Sequence, residues 1–150
     1  MTHELSEATL EDPHIADDEQ RFIIKRLRHC FVMLNRFPYN GGHLLVIPYE
    51  HRSLLTDFPP EALHELMEVA ALATALLTQE LGAQGFNLGI NVGGVAAGGS
   101  IPEHLHLHVL PRWAGDTGFL TTLADTKPIS VDLPELYQRL TKAFLRSCSR

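Results

Sequence analysis

In the run Glu103-His104-Leu105-His106-Leu107-His108-Val109-Leu110, three histidines stand two residues apart with a leucine between each pair. Two residues is the repeat of a β-strand, on which successive side chains point to opposite faces. The run predicts a strand over 104–110 with three imidazoles on one face and Leu105, Leu107 and Val109 on the other. Histidines so placed sit roughly 6 to 7 Å apart along the strand, close enough to surround one phosphate. A neutral imidazole, the major form at pH 7 for an unperturbed pKa near ~6.5, has one bare nitrogen that can attack and one N–H that can donate. The spacing therefore suits nucleophilic attack on phosphorus, with proton donation to the leaving oxygen by a neighbouring ring.

Two other readings compete. Alternate polar residues on a half-exposed strand can be mere surface, but Thr, Lys or Glu ordinarily fill such positions. His-x-His on a strand can also supply two zinc ligands. The preceding Gly98-Gly99-Ser100 argues for phosphate instead: glycines let successive N–H groups face one concavity, and a hydroxyl adds a donor. The catalytic candidates are His104, His106, His108 and Ser100, with the Gly99 backbone as a phosphate ligand and no protein metal site. Asn91, at the end of the preceding apolar run, is a candidate phosphate contact. His51, after Pro48, reads as a surface loop residue.

The elements that must position these residues follow from patterning. Phe22-Ile23-Ile24 and Cys30 to Leu34 predict an antiparallel hairpin, and His43 to Ile47, closed by Pro48, a third strand. Pro59 and Pro60 open a helix with Leu63, Leu66, Met67, Ala70, Ala73, Leu76 and Leu77 on its apolar stripe, ending at Gly82. Phe86 to Val92 predicts a fourth strand and the histidine run a fifth. Asp132 with Glu135 three residues later resembles a capping box opening a second helix. Residues 1–19 are polar and mostly acidic and read as a flexible arm, with one domain over 20–150.

Composition narrows the partners. The chain has 150 residues, is 45% apolar and carries a net charge of -6. That length supports one core. The acidic balance argues against a diffuse grip on nucleic acid or an anionic membrane. Cys30 and Cys148 fit no metal spacing, and no apolar run is long enough to span a membrane, so the cytoplasm is the expected location.

The segment His104-Leu105-His106-Leu107-His108-Val109-Leu110 resembles the signature of the histidine-triad (HIT) family, His-φ-His-φ-His-φ-φ with φ apolar. Asn35-Arg36-Phe37-Pro38-Tyr39-Asn40-Gly41-Gly42-His43-Leu44 is similar to the family's upstream segment. Pro111-Arg112-Trp113-Ala114-Gly115-Asp116 is similar to its fragile-histidine-triad and bacterial diadenosine polyphosphate phosphorylase branches, although Gly118 stands where those branches have Asn. The resemblance implies an α+β fold, a five-stranded antiparallel sheet with two helices that dimerises or forms a dimer of dimers. It implies that His106 attacks the α-phosphorus of a nucleotide, that Asn35 binds ribose and that His43 belongs to the active site. Met33 and Leu45, which flank those two, are candidates for an apolar slot around the base.

The expected substrate is a purine nucleotide or dinucleoside polyphosphate, with no tightly bound cofactor; a divalent cation can accompany the polyphosphate. A nucleotide-binding regulatory protein is the rival function. An intact triad favours the enzyme, because binding alone does not need a free middle imidazole.

Overall fold

The computed structural model describes residues 13–98, 101–127 and 129–147. Its strands are β1 (Ile23–Arg26), β2 (Cys30–Leu34), β3 (Leu44–Pro48), β4 (Gly85–Ile90) and β5 (Leu107–Arg112), and its helices α1 (Pro13–Arg21), α2 (Pro60–Leu81), α3 (Phe119–Ala124) and α4 (Leu133–Ser147). The five strands form one sheet in the order β1-β2-β3-β5-β4, every neighbouring pair antiparallel.

Alternation divides the sheet into two unlike faces. Cys30, Val32, Leu34, Leu44, Val46, Leu107 and Val109 are buried on one face, beneath α2 and α4. Alanines at 70 and 73, both fully buried, let α2 approach the strands closely, and Leu66, Val69 and Leu77 fill the gap beside them. Leu140 and Phe144 of α4 complete the core. The opposite face carries Phe31, Met33, Leu45, Ile47 and His108, all only partly buried. One sheet thus has a dry side for stability and an open side for chemistry.

The helix ends are set by their sequences. Pro60 occupies the first turn of α2, where its missing N–H costs nothing, and Gly82 ends the helix in the left-handed region at φ 64 with its N–H on Thr78 O. The Asp132 carboxylate accepts the Glu135 N–H at 3.0 Å, capping the start of α4.

Four differences from the sequence reading stand out. Part of the expected arm is helical: α1 is tied down by Asp17–Arg21 and by Asp18 reaching Arg26 of β1, and residues 1–12 lie outside the described residues. Among the described residues there are four α-helices rather than two, the additional ones being α1 and the short α3. β1 runs through Lys25 and Arg26, which pair with Val32 and Phe31 beyond a register shift between Ile23 and Lys25. The histidine strand begins at Leu107 rather than His104. On one side β4 runs out there, with Ile90 opposite Leu107; on the other, Val46 is the last residue of β3 paired with β5, while β3 itself goes on to Pro48 against β2.

Candidate active site

The turn between β2 and β3 is built by its own polar groups. Asn35 Oδ1 accepts the Phe37 N–H at 2.9 Å, and the Asn35 N–H reaches His43 O at 2.9 Å. Asn40, 4% exposed, donates its amide to Pro111 O at 2.9 Å and to Asp116 Oδ2 at 2.8 Å. Gly42 has φ +86, and a Cβ there would stand 2.7 Å from Leu81 Cδ1, so both conformation and space demand glycine. Beyond β5, Arg112 grips Asp116 with two nitrogens, at 2.7 and 2.9 Å. This guanidinium is the main reason the Asp116 carboxyl titrates far below the ordinary range, helped by the Trp113 N–H and the Asn40 amide.

This clasp holds a chain of hydrogen bonds that fixes the protonation of two rings. His43 is fully buried. Its Nδ1 accepts the Tyr39 N–H at 3.2 Å and faces the Asn35 amide at 3.3 Å. An accepting Nδ1 leaves the proton on Nε2, which donates to His108 Nδ1 at 2.9 Å. His108 therefore carries its own proton on Nε2. Burial is the first cause that lowers the His43 pKa, to about 4, and positive charge on His108 and His106 lowers it further. His108 is also pushed down, by burial and then by charge on His106. Both rings are neutral at pH 7. Tyr39 braces the pair, its ring 4.5 Å from His43 and 6.0 Å from His108.

His106 has the opposite tautomer. Its Nδ1 lies 3.0 Å from His104 O, an acceptor only, so Nδ1 carries the proton and Nε2 keeps its lone pair. The His104 ring has both nitrogens engaged: Nε2 donates to Pro48 O at 2.8 Å, and Nδ1 is 3.0 Å from His51 Nδ1. Of the three alternating imidazoles, His106 offers a bare nitrogen and His108 an N–H, while His104 offers neither.

These rings form one wall of a cleft of about 610 Å³. Phe31, Leu45, Ile47 and Ile101 give it an apolar surface, and Asn35, Phe37 and Tyr39 stand at one end. Phe37 is 83% exposed and Tyr39 58%. Leu45 lies opposite His108 in the ladder and opposite Met33 on its other side.

The structure thus gathers His104, His106, His108, Asn35 and Leu45 in the cleft wall, with His43 directly behind His108. Met33 shares the sheet face but stands one strand further out, where Phe31 rather than Met33 forms the wall. Asn91 is exposed just past β4 and is not part of the wall. Gly99 and Ser100 lie outside the described residues. His51 is no idle loop residue, since it bonds His104. Phe31 and Ile47 were legible from strand alternation, each two residues from a named candidate; the aromatic pair Phe37 and Tyr39 had no periodic signal.

A five-stranded antiparallel sheet with three alternating histidines at the start of its β5 strand and in the segment leading into it, lining one cleft, defines a class, the histidine-triad domains. Residues 17–115 match the HIT domain model, and the chain belongs to that family. It is 40% identical over 119 residues to the AP-4-A phosphorylase of Mycobacterium tuberculosis, covering 79% of this chain and 60% of that protein. The chain therefore spans less than two thirds of that relative's length. Among solved structures, a Zn-bound histidine triad family protein from Mycobacterium smegmatis aligns with a TM-score of 0.71 and 30% identity, over 91% of this chain and 92% of that one. The NitFhit protein of C. elegans aligns with a TM-score of 0.67 and 27% identity, over 82% of this chain and 27% of that one.

Zinc is bound in the M. smegmatis protein. In this chain no group of three His, Cys, Asp or Glu side chains among the described residues is arranged to hold a metal ion. No helix among the described residues is long and apolar enough to cross a membrane.

Proposed function

We propose that the chain is a nucleotidyl hydrolase or transferase that cleaves the α-phosphate linkage of a dinucleoside polyphosphate through a nucleotidyl-histidine. The observation that carries this reading is the pair of opposite tautomers in one cleft, a bare Nε2 on His106 and an Nε2–H on His108, with ring centres 4.8 Å apart. A regulatory binding site does not require that pairing.

In the first step the His106 Nε2 lone pair attacks the α-phosphorus, and the bond from that phosphorus to the bridging oxygen breaks. The leaving oxygen accepts a hydrogen bond from the His108 Nε2–H, which stays on the ring, and departs as the polyphosphate anion. His43 stabilises the donor ring's other nitrogen through its own Nε2–H. The product is a P–N bonded nucleotide on His106 and a released polyphosphate nucleotide. In the second step water or orthophosphate attacks the same phosphorus, the P–N bond breaks and returns the lone pair to His106 Nε2, and the proton released from an attacking water passes to solvent. With diadenosine tetraphosphate the first step releases ATP; water then gives AMP and orthophosphate gives ADP.

Around this centre Asn35 binds the ribose hydroxyls, and Leu45, with Met33 beside it and Phe31 and Ile47 further along, holds a purine base. Gly99 and Ser100 supply further donors to the phosphates. A divalent cation travels with the polyphosphate rather than residing in the protein. The outer edge of β4 is unpaired and Leu88 there is 45% exposed, which supports a homodimer joined across this edge. A nucleotide substrate fits a cytoplasmic location.

Incubating the full chain with diadenosine tetraphosphate and divalent cation, with and without orthophosphate, tests the reading. ATP with ADP only when orthophosphate is present marks a phosphorylase, and ATP with AMP marks a hydrolase. Stoichiometric binding without any product would favour the regulatory alternative.

A further inference from the structure

The triad's first two histidines precede the strand, so no sheet ladder holds them. What holds them is the end of β3 and the segment just after it. The Leu105 N–H donates to Arg52 O at 2.8 Å, and the His104 Nε2–H to Pro48 O at 2.8 Å. The carbonyl on the same peptide as that Leu105 N–H is His104 O, the group that accepts the His106 Nδ1–H. One peptide unit therefore spans the gap, its N–H anchored on the loop and its C=O setting the tautomer of His106.

The remaining tie to this unit comes from a side chain. His51 Nδ1 lies 3.0 Å from His104 Nδ1, with the rings at 88° and their centres 4.9 Å apart. Since His104 Nε2 is committed as a donor to Pro48 O, a neutral His104 must accept at Nδ1. His51 must then donate from Nδ1, the less populated tautomer of a free neutral histidine. Its ring is exposed and borders a second, open cleft with Ser53, Gly94 and Glu103. It fills no core space, so its contribution lies in orientation.

We infer that His51 is a positioning residue for the nucleophile: its Nδ1–H fixes the His104 ring on Pro48 O, which fixes the 104–105 peptide and hence the Nδ1–H tautomer of His106. The inference rests on the proposed role of His106, but its physical part does not depend on turnover. Removing the tie leaves the nucleophile present and the nucleotide cleft intact while the reactive tautomer and ring angle loosen. Because small misplacements of a reacting group cost up to about a hundredfold in rate, a loss of about tenfold is expected.

The test compares the full chain with His51→Asn, whose amide can donate from nearly the position of Nδ1, and His51→Leu, which cannot. ¹⁵N-histidine NMR of the unsubstituted protein at neutral pH should find His51 and His106 protonated on Nδ1 and His104 and His108 on Nε2. In His51→Leu the His106 signals should move toward a tautomer mixture. Turnover of diadenosine tetraphosphate should fall about tenfold in kcat with KM within about twofold and the melting temperature unchanged, and His51→Asn should recover most of the loss. His51 protonated on Nε2 in the unsubstituted protein overturns the inference. So does a leucine variant whose His106 tautomer and kcat are unchanged, or an asparagine variant as impaired as the leucine one. A protein with these tautomers but no turnover contradicts the functional reading and leaves the positioning relation standing.

Discussion

His43 Nε2 lies 2.9 Å from His108 Nδ1, and a proton on the first nitrogen dictates a proton on the far nitrogen of the second ring. The contact joins residues 65 positions apart and links a backbone N–H, that of Tyr39, to a donor at His108 in the cleft wall. Binding a second proton to His43 would place an N–H on Nδ1, directly against the Tyr39 N–H. The relay works only while His43 is neutral.

The same relation predicts a pH dependence of stability. His43 falls from 6.5 unfolded to about 4 folded. The folded protein therefore binds fewer protons at this site between those values, and stability decreases as pH drops. The contribution is present in full above about 6.5 and is lost progressively as pH falls toward 4. At ~1.36 kcal/mol per unit the loss is at most about 3 kcal/mol. Urea unfolding between pH 7 and 4 should show it, and His43→Gln should flatten that part of the profile. An equal slope in both proteins would assign it to other groups.

Asn40 is predicted to be a stability residue for the turn that carries Tyr39 and His43. Its buried amide holds Pro111 O and Asp116 together, so Asn40→Ala leaves an unsatisfied buried carbonyl. Chemical denaturation should register a loss of about 1–3 kcal/mol. A change below about 0.5 kcal/mol would mean that water replaces the amide without penalty.

Much of this arrangement was legible in the chain. The apolar runs at 30–34 and 44–47 gave β2 and β3, the period of two in 104–110 put the imidazoles on the face away from the core, and the stripe from Leu63 to Leu77 gave α2. What escaped depended on where partners end. Alternation alone extends the histidine strand back to His104; the observed start at Leu107 coincides with the end of β4 at Ile90, which no local pattern in 104–110 encodes. His51 looked like a loop residue because its partner is 53 positions away. Asn91 follows a strand that reads as longer than it is, and with β4 ending at Ile90 its side chain stands clear of the cleft. α1 was hidden by an acidic sequence whose charges find Arg21 and Arg26 only once the helix forms.

The central claim is that His106 Nε2 forms the bond to phosphorus. Brief incubation with α-³²P-labelled diadenosine tetraphosphate, alkaline denaturation and peptide mapping test it directly. The account predicts label on the peptide holding His106, stable in base and released in acid as a phosphoramidate should be. His106→Ala should abolish the adduct and lower turnover by at least ~10³ while nucleotide binding persists. Near-normal turnover in His106→Ala, or label on Ser100 or any other side chain, would contradict it.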